Sequence, residues 1–279
     1  MIIVHASDLH FGPHFHSGAA DAFHRAILQA RPELLVLSGD FTHRANQRQF
    51  GQARDFLDQV SAIARVITTP GNHDVPLYSF WRRFFTPYKE YRRAMGMNGD
   101  SAIHTADFSS VILDTTSPLL RITEGRLSRR QVKFIRTSFQ DATADLRMVV
   151  AHHPIAKPDD WKYGRTVDPN RDALAAMTDV GVELVLGGHL HRSFSMEAAP
   201  GLWVVHSGTT TSTRGRSEEK GMQTFNRIRV RPDAFELEVL SFNAAAGQFD
   251  TLRRAVLPRQ RNIPPDRPVE KVEKAASGI

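Results

Sequence analysis

Five clusters of aspartate, histidine, asparagine and glycine each stand directly behind a short apolar run, and this repeated placement limits the folds open to the chain more than any other feature. The runs Ile2 to His5, Leu34 to Leu37, Val66 to Thr68, Val111 to Leu113, Met148 to Val150 and Leu184 to Leu186 are rich in β-branched residues. They alternate with longer amphipathic segments, which is the rhythm of an α/β domain. Open sheets of that kind gather ligands beyond the C-terminal ends of their strands, where all five clusters stand.

Between the runs, Phe50, Ala53, Phe56, Leu57 and Val60 recur at helical spacing after Asn46, a capping residue with Gln49 three positions on. Ser128 with Gln131 predicts a second capped helix carrying Val132, Phe134 and Ile135. Beyond Gly188 the pattern changes to strands, at Leu202 to His206, Gln223 to Val230 and Phe235 to Phe242. One domain over residues 1–257 is expected, followed by a flexible tail over 258–279. That tail is rich in Pro, Arg, Glu and Lys and has too little apolar surface to offset its ordering entropy.

The first cluster is Ser7, Asp8, Leu9, His10, where alternation along an extended segment points the carboxylate and the imidazole the same way. The second is Gly39, Asp40, whose carboxylate at a strand end can bridge two cations, and the third is Gly71, Asn72, His73, Asp74. Asn72 offers a carbonyl oxygen to a metal, leaving His73 free to act on a substrate with Asp74 as the carboxylate that orients its ring and raises its pKa. The fourth cluster is His152, His153, Pro154, and the fifth is Gly187, Gly188, His189, Leu190, His191. Each cluster alone is ordinary in turns. Together Asp8, His10, Asp40, Asn72, His152, His189 and His191 form a mixed oxygen and nitrogen ligand set suited to Mn, Fe or Zn rather than Ca or Mg. His153 is expected to tune these ligands rather than join them.

The chain has no cysteine, which excludes disulfides, thiolate nucleophiles and cysteine-held zinc. A net charge of +6 over 279 residues suits acidic substrates, and equally serves solubility. The start of the chain lacks a basic segment with an apolar core, and no apolar run approaches the length of a membrane span, so a cytoplasmic location without a transmembrane segment is expected.

In this order the motifs D-x-H, GD, GNHD, HHP and GGHLH resemble the calcineurin-like metallophosphoesterase superfamily, over residues 1 to about 245. The resemblance implies two metal ions, one held by Asp8, His10, Asp40 and His191, the other by Asp40, Asn72, His152 and His189, with Asp40 bridging. It also implies an α/β (α+β) four-layer sandwich of two mixed sheets flanked by helices. The expected chemistry is hydrolysis of a small phosphorylated substrate by metal-activated water, with His73 as general acid or cationic stabiliser and Asp74 behind it. The chain is similar to bacterial metal-dependent cyclic-nucleotide phosphodiesterases, which makes cyclic nucleotides the first substrate expectation. UDP-diacylglucosamine hydrolases are related, but their well-known branch carries Arg where His73 stands and has a long cap that is missing here. A DNA exonuclease is less favoured because no nucleic-acid module is visible, and a scaffold that has lost its site is disfavoured because every expected ligand is present.

Residues 77–95 follow the GNHD motif and interleave Trp81, Phe84, Phe85, Tyr88 and Tyr91 with Arg82, Arg83, Lys89, Arg92 and Arg93. Thr86 and Pro87 predict a break between two helices, the second capped by Thr86. The plainer expectation is a helix pair with its aromatic face, Trp81, Phe84, Phe85, Tyr88 and Met95, in the core and its arginines solvated. The sharper one is a cap over the site within residues 77–101, its aromatics meeting a base or acyl chains and its arginines holding phosphate or meeting a membrane surface.

Overall fold

The computed structural model describes residues 1–260 except 97–98, 122, 162–164 and 169. In chain order the first half holds β1 (Ile2–Ala6), α1 (Ser17–Ala30), β2 (Leu34–Leu37), α2 (Gln47–Ser61), β3 (Arg65–Thr68), α3 (Phe80–Phe85), α4 (Lys89–Met95), β4 (Ser101–His104), β5 (Phe108–Leu113) and α5 (Arg129–Ser138). The second half holds β6 (Leu146–Ala151), α6 (Asn170–Asp179), β7 (Leu184–Gly187), β8 (Phe194–Ala199), β9 (Leu202–His206), β10 (Thr224–Val230), β11 (Ala234–Asn243) and β12 (Gln248–Pro258).

The strands form two six-stranded mixed sheets, β12-β11-β10-β1-β2-β3 and β4-β5-β6-β7-β9-β8. In the first, β1, β2 and β3 are parallel and β10 to β12 antiparallel. In the second, β5, β6, β7 and β9 are parallel between the antiparallel edge strands β4 and β8. Alternation within a strand sends neighbouring side chains to opposite layers. Ile3 of β1 packs with Val36, Ile112, Val150 and Leu186 between the sheets, while Val4 packs with Phe23, Phe50 and Phe56 beneath α1 and α2. The outer face of the second sheet packs Val149 and Val185 against Ile135 and Met177 of α5 and α6. The layers are therefore helix, sheet, sheet, helix, as expected.

Local signals act as read. Asn46 Oδ1 accepts the Gln49 N–H at 2.9 Å, a cap that contributes about 1 kcal/mol, and Ser128 with Gln131 closes a reciprocal capping box. β12 runs through Pro258, one residue beyond the expected end of the domain, and the buried Arg259 guanidinium forks onto Glu183 at 2.7 and 2.8 Å. Of the expected tail, residues 261–279 lie outside the described residues. Two expectations about residues 77–95 need correction. Thr86 does not cap α4, whose first turn follows Tyr88. The orientation of α3 is reversed as well. Trp81, Phe84 and Phe85 face outward, while Arg83 is buried with its guanidinium donating to the carbonyls of Pro76 and Leu120. Tyr91 and Met95 of α4 do enter the core.

Candidate metal centre

The loops leaving β1, β2, β3, β6, β7 and β9 meet at one end of the sandwich. Asp8 N–H donates to Gly39 O at 3.0 Å, Gly188 N–H to His152 O at 3.0 Å, and Thr210 N–H to Ser7 O at 3.0 Å. Sheet order thus brings together segments far apart in the chain. Asp8 and His10 leave the extended conformation expected of them: φ is 53° and 49°, with 54° at Asp40, 72° at His189 and 56° at His191. Left-handed backbone is costly for non-glycine residues and persists where surrounding structure over-determines it. Here that structure is tight. A Cβ on Gly71 would collide with the Asp40 carboxylate, and one on Gly188 with Ser7 Oγ.

All seven expected ligand side chains converge and are buried. Asp8 Oδ1 lies 3.0 Å from His191 Nε2 and 3.6 Å from His10 Nε2. Asp40 sits between two groups, Oδ1 3.4 Å from His152 Nε2 and Oδ2 3.7 Å from His10 Nε2. Asn72 Oδ1 lies 3.2 Å from His152 Nε2 and 2.8 Å from His189 Nδ1. Backbone carbonyls fix three of the rings. Nδ1–H of His152 donates to Ser38 O at 2.7 Å, that of His191 to Arg214 O at 2.9 Å, and that of His10 more weakly to Thr42 O at 3.4 Å. Each Nε2 therefore aims a lone pair inward, at other acceptors: His10 Nε2 faces His191 Nε2 at 3.2 Å, and Asp8 Oδ1 has no hydrogen-bond partner. Acceptors gathered on acceptors in a buried space fit a cation, and the His/Asp group is able to hold two. Asp8, His10, Asp40 and His191 lie close enough together to share one ion, and His152, His153 and His189 form a second such group beside Asn72.

Burial opposes ionisation of Asp8, yet the surrounding imidazoles overcome it and hold its carboxyl below the usual range. Burial outweighs His152 at Asp40, whose carboxyl rises to about 6. At His152 the order reverses: burial disfavours the cation, but Asp40 and Asp8 raise its pKa. His153 donates or accepts through Nδ1 at Thr115 Oγ1, 2.8 Å away, and its buried Nε2 has no partner. His153 falls within ligand reach of His152 and His189.

The expected pairing of His73 with Asp74 is absent. His73 Nδ1–H donates to His43 O at 2.9 Å. Asp74 turns inward and accepts the N–H groups of Gly71, Phe41 and Thr42 at 3.0, 3.1 and 2.9 Å. A carboxylate placed on a three-residue turn satisfies the nearest backbone donors first. Burial and the adjacent Asp40 push its carboxyl up to about 7. His73 lies beside the ligands all the same, its N–H on Asp40 Oδ1 at 2.8 Å and its ring edge-on to His10. Its pKa is lowered to about 4 by burial and then by Arg214, the opposite of the rise expected from Asp74.

Sequence reasoning missed His43 and Arg214. The His43 ring stacks on His73 with centroids 5.5 Å apart, and Arg214 Nη1 lies 3.3 Å from His43 Nδ1 and 3.2 Å from His73 Nε2. Arg214 stands in the loop after β9, behind the run Thr209, Thr210, Thr211, Ser212. Hydroxyls pin this loop: Thr211 donates to Leu9 O at 2.8 Å and Thr210 to Thr224 O at 3.1 Å. The position behind an apolar strand was the available signal.

A sequence profile of calcineurin-like phosphoesterases matches residues 1–193. The chain belongs to that family. Among relatives of this family member, a probable cyclic nucleotide phosphodiesterase of Rhodococcus erythropolis is 26% identical over 243 residues, covering 79% of this chain and 74% of the relative. The fold is similar to that of a dimetal phosphatase from Danio rerio, with TM-score 0.63 and 14% identity over 93% of this chain and 99% of that one. It is also similar to the purple acid phosphatase PPD1 of yellow lupin, with TM-score 0.71 and 12% identity over 93% of this chain and 54% of that one. Among the described residues no helix is long and apolar enough to cross a membrane.

Proposed function

We propose that this family member hydrolyses phosphate esters, diesters foremost, with water as nucleophile and two metal ions in the centre described above. The observation that carries the reading is the inward convergence of lone pairs from Asp8, His10, Asp40, Asn72, His152, His189 and His191. The ions, when bound, supply Lewis acidity toward the phosphoryl oxygens and the attacking water.

The protein's own groups act at the rim. His73 keeps its proton on Nδ1 for the His43 carbonyl, so its Nε2 accepts from Arg214. At neutral pH the positive charge at this rim resides on Arg214. Its guanidinium is placed to bind the non-bridging oxygens of an incoming phosphate and to stabilise the charge they gain in the transition state. An anionic phosphate beside His73 raises that ring's pKa, which allows Nε2 to carry a proton to the leaving alkoxide. Likeness to the Rhodococcus protein supports a cyclic nucleotide as the first substrate to try.

The test is a turnover panel on protein loaded with Mn, Fe or Zn, comparing cyclic AMP, bis(p-nitrophenyl) phosphate, p-nitrophenyl phosphate, a glycerophosphodiester, UDP-diacylglucosamine and single-stranded DNA. Diesters are expected to turn over faster than the monoester. No turnover of any substrate by folded, metal-replete protein would refute the reading.

A further inference from the structure

One exposed surface plays no part in the metal centre. Tyr78, Phe80, Trp81, Phe85 and Leu119 are 76, 64, 71, 68 and 79% exposed, with Phe84 between them. The rings contact each other: Phe80 lies 4.8 Å from Phe84, and Trp81 stacks on Phe85 at 5.3 Å. Folded monomers seldom leave contiguous apolar surface of this kind open unless something binds it. It is held open by construction. Arg83 clamps α3 to the fold through the carbonyls of Pro76 and Leu120, which turns the aromatic face outward.

Charge identifies the occupant. Residues 77–93 contain Arg82, Arg83, Lys89, Arg92 and Arg93 against the single acid Glu90, and Glu90 already faces Arg82 and the Gln47 amide. Lys89, Arg92, Arg93 and Arg121 are exposed. Symmetric pairing with a second copy would set these cations against their own kind. Exposed aromatic rings and uncompensated cations on one segment instead match the headgroup region of an anionic bilayer. The surface also reaches the metal centre: the Arg44 guanidinium lies 5.3 Å over the Tyr78 ring, and the neighbouring His43 stacks on His73.

We propose that this surface docks on an anionic lipid bilayer, with Phe80, Trp81 and Phe85 in the headgroup boundary, and thereby presents the metal centre to phosphoesters carried by amphiphiles at the membrane. The second half of that statement rests on the phosphoesterase reading; the docking does not.

The metal-loaded full chain is mixed with vesicles of phosphatidylcholine alone or with added phosphatidylglycerol, and followed by co-sedimentation and tryptophan fluorescence. Trp161 is buried and Trp203 half-buried, so a blue shift reports on Trp81. Binding to the anionic vesicles, a blue shift, and weakening by salt are expected. A Trp81→Ala, Phe85→Ala double variant should bind roughly tenfold or more weakly while hydrolysing soluble bis(p-nitrophenyl) phosphate at the unaltered rate. Absence of binding, or equal binding to neutral vesicles, overturns the proposal. So does a concentration-dependent dimer that the double variant abolishes. Vesicle binding without turnover of any ester would instead overturn the phosphoesterase reading and leave the docking intact.

Discussion

Arg214 Nη1 lies 3.2 Å from Nε2 of His73, 141 residues earlier in the chain, and this contact adds to burial in disfavouring the imidazolium at the rim of the centre. Burial and the guanidinium together lower the His73 pKa to about 4. Replacing Arg214 with Met should therefore raise it toward the ordinary value near 6.5, read by imidazole NMR on the metal-free protein. In the loaded enzyme the same change should lower kcat/KM by roughly 100-fold at unchanged metal content. An unchanged kcat/KM would remove Arg214 from the reaction.

His73→Ala should retain metal and lose roughly 100-fold or more on esters with poor leaving groups. The loss should be smaller on nitrophenyl esters, whose leaving groups need little protonation. Equal losses on both classes would argue against proton transfer by His73.

Asp40→Ala should abolish turnover and release both ions, because its two oxygens face different histidines, His152 and His10. Elemental analysis per folded chain checks this. Retention of one full equivalent would show that Asp40 does not bridge.

Two buried histidines outside the ligand set should make the metal-free protein acid-sensitive. Burial lowers the pKa of His5 to about 3 and that of His206 to about 4. The unfolded chain takes up these protons from about pH 6.5 downward and the folded chain does not. Their contribution to stability is thus intact above pH 6.5 and is lost as pH falls toward 4 and 3. His5 alone should cost roughly 2 kcal/mol at pH 5. Urea unfolding at pH 7.5 and 5 should show the drop, and His5→Asn should reduce it; a stability independent of pH between these values would contradict the assignment.

Gly188→Ala should cost roughly 1–3 kcal/mol and weaken metal binding, since the added Cβ meets Ser7 Oγ and lies 2.7 Å from Asp8 Oδ2. Thermal unfolding with and without metal separates the two effects. A variant with unaltered melting temperature and metal affinity would show that the loop has room to shift.

The strand runs, the caps at Asn46 and Ser128 and the positions of the ligand clusters were legible in the sequence because each depends on residues within a few positions of one another: side-chain period, a capping oxygen, a turn after a strand. The convergence of Asp8, Asp40, His152 and His191 could be anticipated because parallel strands deliver their C-terminal loops to one edge. The tertiary structure decided the rest. Asp74 was free to serve His73 or the backbone N–H groups of Phe41 and Thr42, and the packing of the β2 loop against the Asn72 turn settled it for the backbone. Arg214 met His73 only through sheet order. Helical spacing gave α3 an aromatic face and a basic face, and said nothing about which would be covered. The carbonyls of Pro76 and Leu120 took the Arg83 donors and turned the aromatic rings outward, because a buried guanidinium must find acceptors wherever the fold places them.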